Sequence, residues 1–176
     1  QKTDELSPEI PTSLNSVLLF LPAFNEEDAV GDCIKRVPSQ VCGLDVHCLI
    51  IDDGSTDRTA EIARGAGAEV LSLEKNQGLG AAVRVGLSEG VRRNSSAVIF
   101  ADADGEYPPE ELENLVAPIV QGKADYVVGS RFLGDIEFMR PHRRFGNLVL
   151  TQILSIIARR RITDGQTGYR AFSPRA

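Results

Sequence analysis

No stretch of eighteen apolar residues occurs in this 176-residue chain, so no segment of it is expected to span a bilayer. Tryptophan is absent. The three cysteines, Cys33, Cys42 and Cys48, are odd in number and lack the spacing of a metal-ligand set. That argues against a disulfide framework or a structural zinc site and for reduced, mostly buried thiols in a cytosolic environment. The first sixteen residues are polar, include Pro8 and Pro11, and have no basic-then-apolar layout, so they do not read as a signal peptide. Internal repeats and low-complexity stretches are missing too. What remains is the composition of a soluble α/β protein, 42% hydrophobic with 16 Gly and 9 Pro. We read residues 1–15 as a leader or linker and 16–176 as one domain.

The net charge of -6 hides an asymmetry. Residues 1–130 carry 10 Lys and Arg against 22 Asp and Glu, whereas residues 131–170 carry eight Arg against Asp135, Glu137 and Asp164. A basic final third on an acidic body points to one end that meets phosphate or an anionic surface. A solvated Arg-rich face is the plainer alternative. No nucleic-acid partner is expected.

Short apolar runs at 16–21, 46–51, 69–73, 97–101 and 126–129 alternate with helix-periodic segments at 27–37, 56–66, 78–92 and 109–121. Such alternation predicts a mostly parallel sheet with helices on both faces. Ser55 or Thr56 is expected to cap the second helix and Asn76 the third, with Pro108 and Pro109 opening the fourth. In such sheets ligands bind beyond the carboxyl ends of the strands, where strand order reverses. The residues at the end of each run are therefore informative. After the first comes Pro22-Ala23-Phe24-Asn25-Glu26, after the second Asp52-Asp53-Gly54-Ser55, after the fourth Asp102-Ala103-Asp104-Gly105-Glu106, and after the fifth Ser130-Arg131. Structural caps explain one polar strand end easily and four poorly.

Asp102 and Asp104 stand two apart, so their side chains can project to the same side. With Glu106 they make a hard, all-oxygen set suited to Mg²⁺ or Mn²⁺ together with substrate phosphates. An Asp-x-Asp pair alone also describes a solvated loop; its place directly after a buried run gives it weight. Asp52 can accept from a nucleobase or ribose, while Asp53 or Ser55, taken singly, is expected to cap the next helix. Asn76-Gln77-Gly78-Leu79-Gly80 can admit a phosphate or ribose, or simply pack tightly. It is not a P-loop, because the Gly-Lys-Ser/Thr ending is absent.

Taken in order, Leu-Pro-Ala-Phe-Asn-Glu (21–26), Asp-Asp-Gly-Ser-x-Asp (52–57), Asn-x-Gly-x-Gly (76–80), Asp-Ala-Asp (102–104), Gly-Ser-Arg (129–131) and Thr-Asp-Gly-Gln-Thr-Gly-Tyr-Arg-Ala-Phe (163–172) resemble family 2 glycosyltransferases of the GT-A fold. Among these the chain looks most like polyprenyl-phosphate sugar synthases such as dolichyl-phosphate mannose synthase. The resemblance implies that Pro22, Ala23, Asn25, Glu26, Asp52, Asp53, Gly78, Asp102 and Ala103 bind a nucleotide-sugar donor, with Asp102, Asp104 and Glu106 holding the divalent cation. Arg131, Arg170 and one of Arg140, Arg143 and Arg144, with Arg144 the first choice, would bind the acceptor phosphate, and Asp104, Arg131 and Asp164 would carry the chemistry. Glu106 stands where relatives often have Gln, which adds a charge to the site. Leu79 stands where Lys is common, and Gly165-Gln166-Thr167 replaces the Pro-Met-Ser of some mannose synthases; these two departures leave the donor sugar open. Domains of this type usually continue past a point equivalent to Ala176.

The implied reaction is a hexose transfer from a GDP-mannose or UDP-glucose type donor to a polyprenyl or dolichyl phosphate, with inversion. A phosphate acceptor, whose second pKa is about 6, needs positioning by Arg more than a general base. A saccharide hydroxyl, the alternative acceptor, would need one, and Asp164 is the candidate. Residues 144–161 read as a helix, apolar around most of its circumference and Arg-rich at both ends. A buried or homodimer-forming helix is one reading; contact with a membrane surface on the cytoplasmic side is the other. Two further classes stay in view. A non-catalytic nucleotide-sugar-binding module shares the donor motifs. A haloacid-dehalogenase-type phosphatase shares Asp-x-Asp-Gly but wants it near the chain start and without Glu106.

Overall fold

The computed structural model describes residues 15–103, 108–129 and 168–176. The first half runs β1 (Ser16–Ala23), α1 (Val30–Lys35), β2 (Gln40–Val41), β3 (Leu44–Asp52), α2 (Thr59–Gly65) and β4 (Glu69–Ser72). The second runs α3 (Leu79–Arg92), β5 (Ala97–Phe100), α4 (Leu112–Val120), β6 (Tyr126–Val128) and β7 (Arg170–Phe172), with a 3-10 turn at Pro109–Glu111 ahead of α4. The strands form one sheet in the order β2-β3-β1-β5-β7-β6, and β4 pairs with β3. β1, β3, β4 and β5 are parallel, and β7 runs antiparallel to both β5 and β6. Strand order therefore reverses at β1, with β3 on one side and β5 on the other.

β1 is an unbroken apolar run because it is buried along all eight residues and has helices on both its faces. Its side chains alternate between two cores. Val17, Leu19 and Leu21 meet α1, α2 and α4 through Val30, Ile34, Ala63, Leu115 and Ile119. Leu18 and Phe20 join Leu49, Ile51, Val98 and Phe100 beneath Ala82 of α3. Every fourth residue of that helix's inner face is small: Ala82, Gly86, Gly90. A β-carbon on Gly86 would overlap the Phe20 ring, and one on Gly90 would overlap Val98. The missing side chains are what let α3 lie this close to the sheet.

The expected α/β architecture is present, with two additions. β2 and β7 are strands of two and three residues, too short to show a period in sequence, and both pair antiparallel. The helix caps differ from expectation. α2 begins at Thr59, and Asp57 turns the chain into it by accepting from the Thr59 amide at 2.9 Å. Ser55 and Thr56 lie too early to cap and are engaged elsewhere. Asn76 Oδ1 accepts from the Gly78 amide at 3.1 Å and so shapes the turn before α3, whose flanking residue is Gly78. No helix among the described residues is long and apolar enough to cross a membrane. The 144–161 segment, with its dimer and membrane readings, lies outside the described residues.

At the amino edge of the sheet Arg93 follows α3 with its side chain 7% exposed. It donates to both Glu69 oxygens at 2.8 Å and to Glu89 at 3.3 Å, while Arg92 also binds Glu89. The Arg93 hydrogen bonds hold Glu69 below its ordinary value of about 4.5, and Arg92 does the same for Glu89. A depressed acid contributes stability above its unfolded pKa and loses it as pH falls through the folded one. The melting temperature is thus expected to fall as pH drops below about 4.5. Arg93→Met should flatten that part of the curve; equal slopes in both proteins would show that the ion network does not govern the acid limb.

Candidate active site

The carboxyl ends of β1, β3 and β5 meet at one edge. Ala23 pairs with Asp52 and Phe20 with Phe100. The Asp53 amide continues the ladder by donating to the Ala23 carbonyl at 2.9 Å. Because β7 is antiparallel, its start lies at the same edge, with Arg170 opposite Phe100. Pro22, Ala23, Asn25, Glu26, Asp52, Asp53, Gly78, Asp102, Ala103 and Arg170 are thereby gathered from five parts of the chain. Asp104, Glu106, Arg131, Arg144 and Asp164 lie outside the described residues, as do Arg140 and Arg143.

Two loops beside this edge are laced together. The Asn25 amide donates to Ser55 Oγ at 3.0 Å, and Asn25 Oδ1 accepts from the Thr56 amide at 2.9 Å. The Glu26 amide donates to Thr59 Oγ1 at 2.8 Å, the Glu27 amide to Asp57 at 3.2 Å, and the Arg58 amide to Glu27 at 3.2 Å. Burial pushes the Asp57 carboxyl up, but hydrogen bonds from Thr59 and the Glu27 amide outweigh it and hold the group below its ordinary value. Asn25 sits at φ 55, a left-handed conformation that asparagine tolerates better than most residues. The reciprocal bonds hold it there. Sequence motifs marked Asn25 and Ser55 separately; that one braces the other shows only when β1 and β3 lie side by side.

The neighbouring acids divide the work. Asp52, 4% exposed, accepts from the Ser55 amide at 2.9 Å and so closes its own loop. Asp53, equally buried, accepts from the Gln77 and Gly78 amides at 2.8 Å each. It holds the approach to α3 and does not cap the helix that comes after it. Gly54, at φ 72, makes this possible, since a β-carbon there would stand 2.6 Å from the Asn76 nitrogen. Hydrogen bonds to an ionised acceptor are about twice as strong as neutral ones. Asp53→Asn, which loses the charge and turns one acceptor into a donor facing an amide, is expected to cost about 2 kcal/mol. Urea denaturation checks this; a loss under about 0.5 kcal/mol would mean the brace is not needed.

Beyond β5, Asp102 is half-buried and Ala103 is buried. The Asp102 carboxylate lies against the α-carbon of Gly168, where a β-carbon would stand 2.9 Å from Asp102 Cγ. A carboxylate at a strand end is a hard oxygen donor of the kind a divalent cation takes. Among the described residues no group of three or more His, Cys, Asp or Glu is gathered; of the expected set Asp102, Asp104 and Glu106, Asp102 is the described member. Phe24 and Leu79 add exposed apolar surface at this edge, 43% and 57% accessible. The edge thus carries carboxylates on either side of β1, Asp52 and Asp53 toward β3 and Asp102 beyond β5, with Arg170 opposite Phe100.

Residues 19–175 match the family model described as glycosyl transferase family 2. Polyprenol monophosphomannose synthase of Mycolicibacterium smegmatis is 34% identical over 166 residues, covering 88% of this chain and 60% of that protein. The UDP-N-acetylglucosamine–dolichyl-phosphate N-acetylglucosaminyltransferase of Methanococcus voltae is 30% identical over 91% of this chain and 70% of its own length. Among solved structures, glucosyl-3-phosphoglycerate synthase of Mycobacterium tuberculosis with Mn²⁺, UDP and glucosyl-3-phosphoglycerate superposes with a TM-score of 0.69 at 27% identity. That match covers 92% of this chain and 57% of the other. The chain thus spans between 57% and 70% of the length of these proteins.

Proposed function

The chain belongs to glycosyl transferase family 2, and from that we propose that it moves a hexose from a nucleotide sugar to a polyprenyl or dolichyl phosphate with inversion at the anomeric carbon. The observation that carries the reading is the convergence of the 22–26 loop, Asp52, Asp53 and Asp102 at the strand-order reversal. Two relatives are named for a polyprenol or dolichyl-phosphate acceptor.

In this reading Pro22, Ala23, Asn25 and Glu26 line the nucleoside side, with Asp52 toward the base or ribose. The laced loops and the Asp53 brace keep that wall preformed, which limits the ordering cost of binding. Asp102, with Asp104 and Glu106, would hold Mg²⁺ or Mn²⁺; a solved relative was crystallised in complex with Mn²⁺ and UDP. A bound cation supplies positive charge to the departing diphosphate. Arg131, Arg144 and Arg170 would receive the acceptor phosphate, orienting its oxygen without removing a proton. Asp164 would act as a base only for a hydroxyl acceptor. The basic segment from Arg131 onward would face a membrane surface on the cytoplasmic side, where a lipid phosphate is presented.

A second reading has its own support, since the solved relative carries glucosyl-3-phosphoglycerate. There the acceptor is a small phosphorylated hydroxy acid. The test is transfer from GDP-mannose, UDP-glucose and UDP-N-acetylglucosamine, with Mn²⁺, Mg²⁺ or a chelator, to polyprenyl phosphate or to 3-phosphoglycerate. Glycolipid formed only with metal is the expected result. Transfer to phosphoglycerate alone supports the second reading, and metal-dependent nucleotide binding without turnover would mark a binding module.

A further inference from the structure

Three successive amides follow β1, those of Asn25, Glu26 and Glu27, and side-chain oxygens of Ser55, Thr59 and Asp57 accept from them in turn. The middle residue joins three elements. Its amide donates to Thr59 Oγ1 at the start of α2, at 2.8 Å, and its carbonyl accepts from the Ala29 and Val30 amides that open α1. Thr59 is fully buried, and its hydroxyl has a single proton to give. That proton goes to Asp57 Oδ1 at 2.5 Å, the length of a hydrogen bond to an ionised acceptor. Asp57 is held below its ordinary pKa and is ionised at neutral pH, and a carboxylate can only accept. The direction of the series is therefore fixed, from the Glu26 amide to the Thr59 hydroxyl to Asp57. The other carboxylate oxygen takes the Glu27 amide at 3.2 Å.

We infer that Thr59 and Asp57 are positioning residues for the donor wall: the carboxylate orients the hydroxyl, and the hydroxyl fixes the turn at 25–27. The link to a donor rests on the proposed nucleotide-sugar reading; the latch itself does not. Asn25 opens this turn at φ 55, a conformation that a free chain rarely adopts. Without the latch a ligand would have to order the turn as it binds, which weakens binding. Thr59 has no exposed surface and cannot touch a ligand itself. Its loss should therefore raise the donor KM and leave kcat in place. A buried threonine also packs, but packing alone would ask only for the shape of a valine.

Two substitutions at one position separate the latch from packing. Thr59→Val keeps the volume and removes the hydroxyl, whereas Thr59→Ser keeps the hydroxyl and removes the methyl. Amide exchange in a peptide spanning 24–30 is expected to quicken about tenfold in Thr59→Val and to stay within about twofold of native in Thr59→Ser. A peptide spanning 97–101 should be unchanged in both. UDP and GDP are each titrated with Mn²⁺ present. Whichever native protein binds more tightly is expected to bind Thr59→Val about tenfold more weakly, and Thr59→Ser within about twofold of native. In transfer assays the same loss should appear in donor KM, with kcat within about twofold. Asp57→Asn, which sets an amide donor against the Glu27 amide or the Thr59 hydroxyl, should follow Thr59→Val and replaces it if that variant does not fold. Unchanged exchange in Thr59→Val overturns the latch, and a native-like valine beside an impaired serine assigns Thr59 to packing. Faster exchange with unchanged nucleotide affinity overturns the link to the donor. Native protein that binds neither nucleotide sinks the donor reading itself, and the exchange result still decides the latch.

Discussion

Asp102→Asn is expected to slow glycosyl transfer by about a hundredfold or more without lowering the melting temperature measured in the absence of metal. The substitution keeps the shape of the side chain, so the contact with Gly168 and the exit from β5 are preserved. What it removes is a negative charge at the strand end and one oxygen donor for a hard cation. Its effect on stability has the opposite sign. Asp102 is followed in sequence by Asp104 and Glu106, and neutralising one of several neighbouring carboxylates relieves repulsion in the metal-free protein. Function and stability should therefore part company. Steady-state transfer assays at saturating donor, repeated over a range of Mn²⁺ concentrations, read the first, and thermal melts in chelator read the second. Turnover within threefold of native would remove Asp102 from the active machinery. A large drop in melting temperature would make it a structural residue.

Gly86→Ala should destabilise the fold by about 2 kcal/mol, against the usual benefit of alanine in a helix. Two effects compete. Helix propensity favours Ala over Gly by about 1 kcal/mol, whereas overpacking a dense core costs about 1–3 kcal/mol or more. The surroundings decide which wins. A β-carbon on Gly86 would overlap the Phe20 ring, and that ring is fully buried on the central strand. Phe20 is also stacked on Phe100, with centroids 5.6 Å apart and planes 21° apart, so it has nowhere to turn. α3 would have to lift from the sheet, and its start, tied to Asp53 through Gln77 and Gly78, would shift with it. Gly80→Ala is the matched control. Its β-carbon would meet nothing within 4 Å, so it is expected to be neutral or stabilising by up to about 1 kcal/mol. Urea midpoints of the two variants moving in the same direction would show that the fit of α3 on the sheet is not limiting.

The amino-acid sequence by itself determined the α/β class, the places of β1, β3 and β5, and the edge where polar residues collect. It could do so because buried parallel strands are continuous apolar runs, and because polar residues directly after such runs must fall at one end of the sheet. The motif order likewise placed the chain in its glycosyltransferase family, which the family match over residues 19–175 supports.

Only the tertiary structure decided what each polar residue does at that edge. Asp52 and Asp53 are adjacent and identical in sequence, yet one closes its own loop and the other reaches across to Gln77 and Gly78. Asn25 and Ser55 looked like separate strand-end groups and prove to brace each other. β7 went unseen because Arg-Ala-Phe, unlike the equally short Tyr-Val-Val of β6, is no apolar run, and with it went the position of Gly168 and Tyr169. Tyr169 meets Pro108 across 61 residues. Gly168 meets the Asp102 carboxylate across a comparable separation. Contacts of that range depend on which strand lies beside which. Local pattern says where strands form; the packing of their two faces fixes their order, and the order settles which acid is placed to meet a ligand and which to hold a loop.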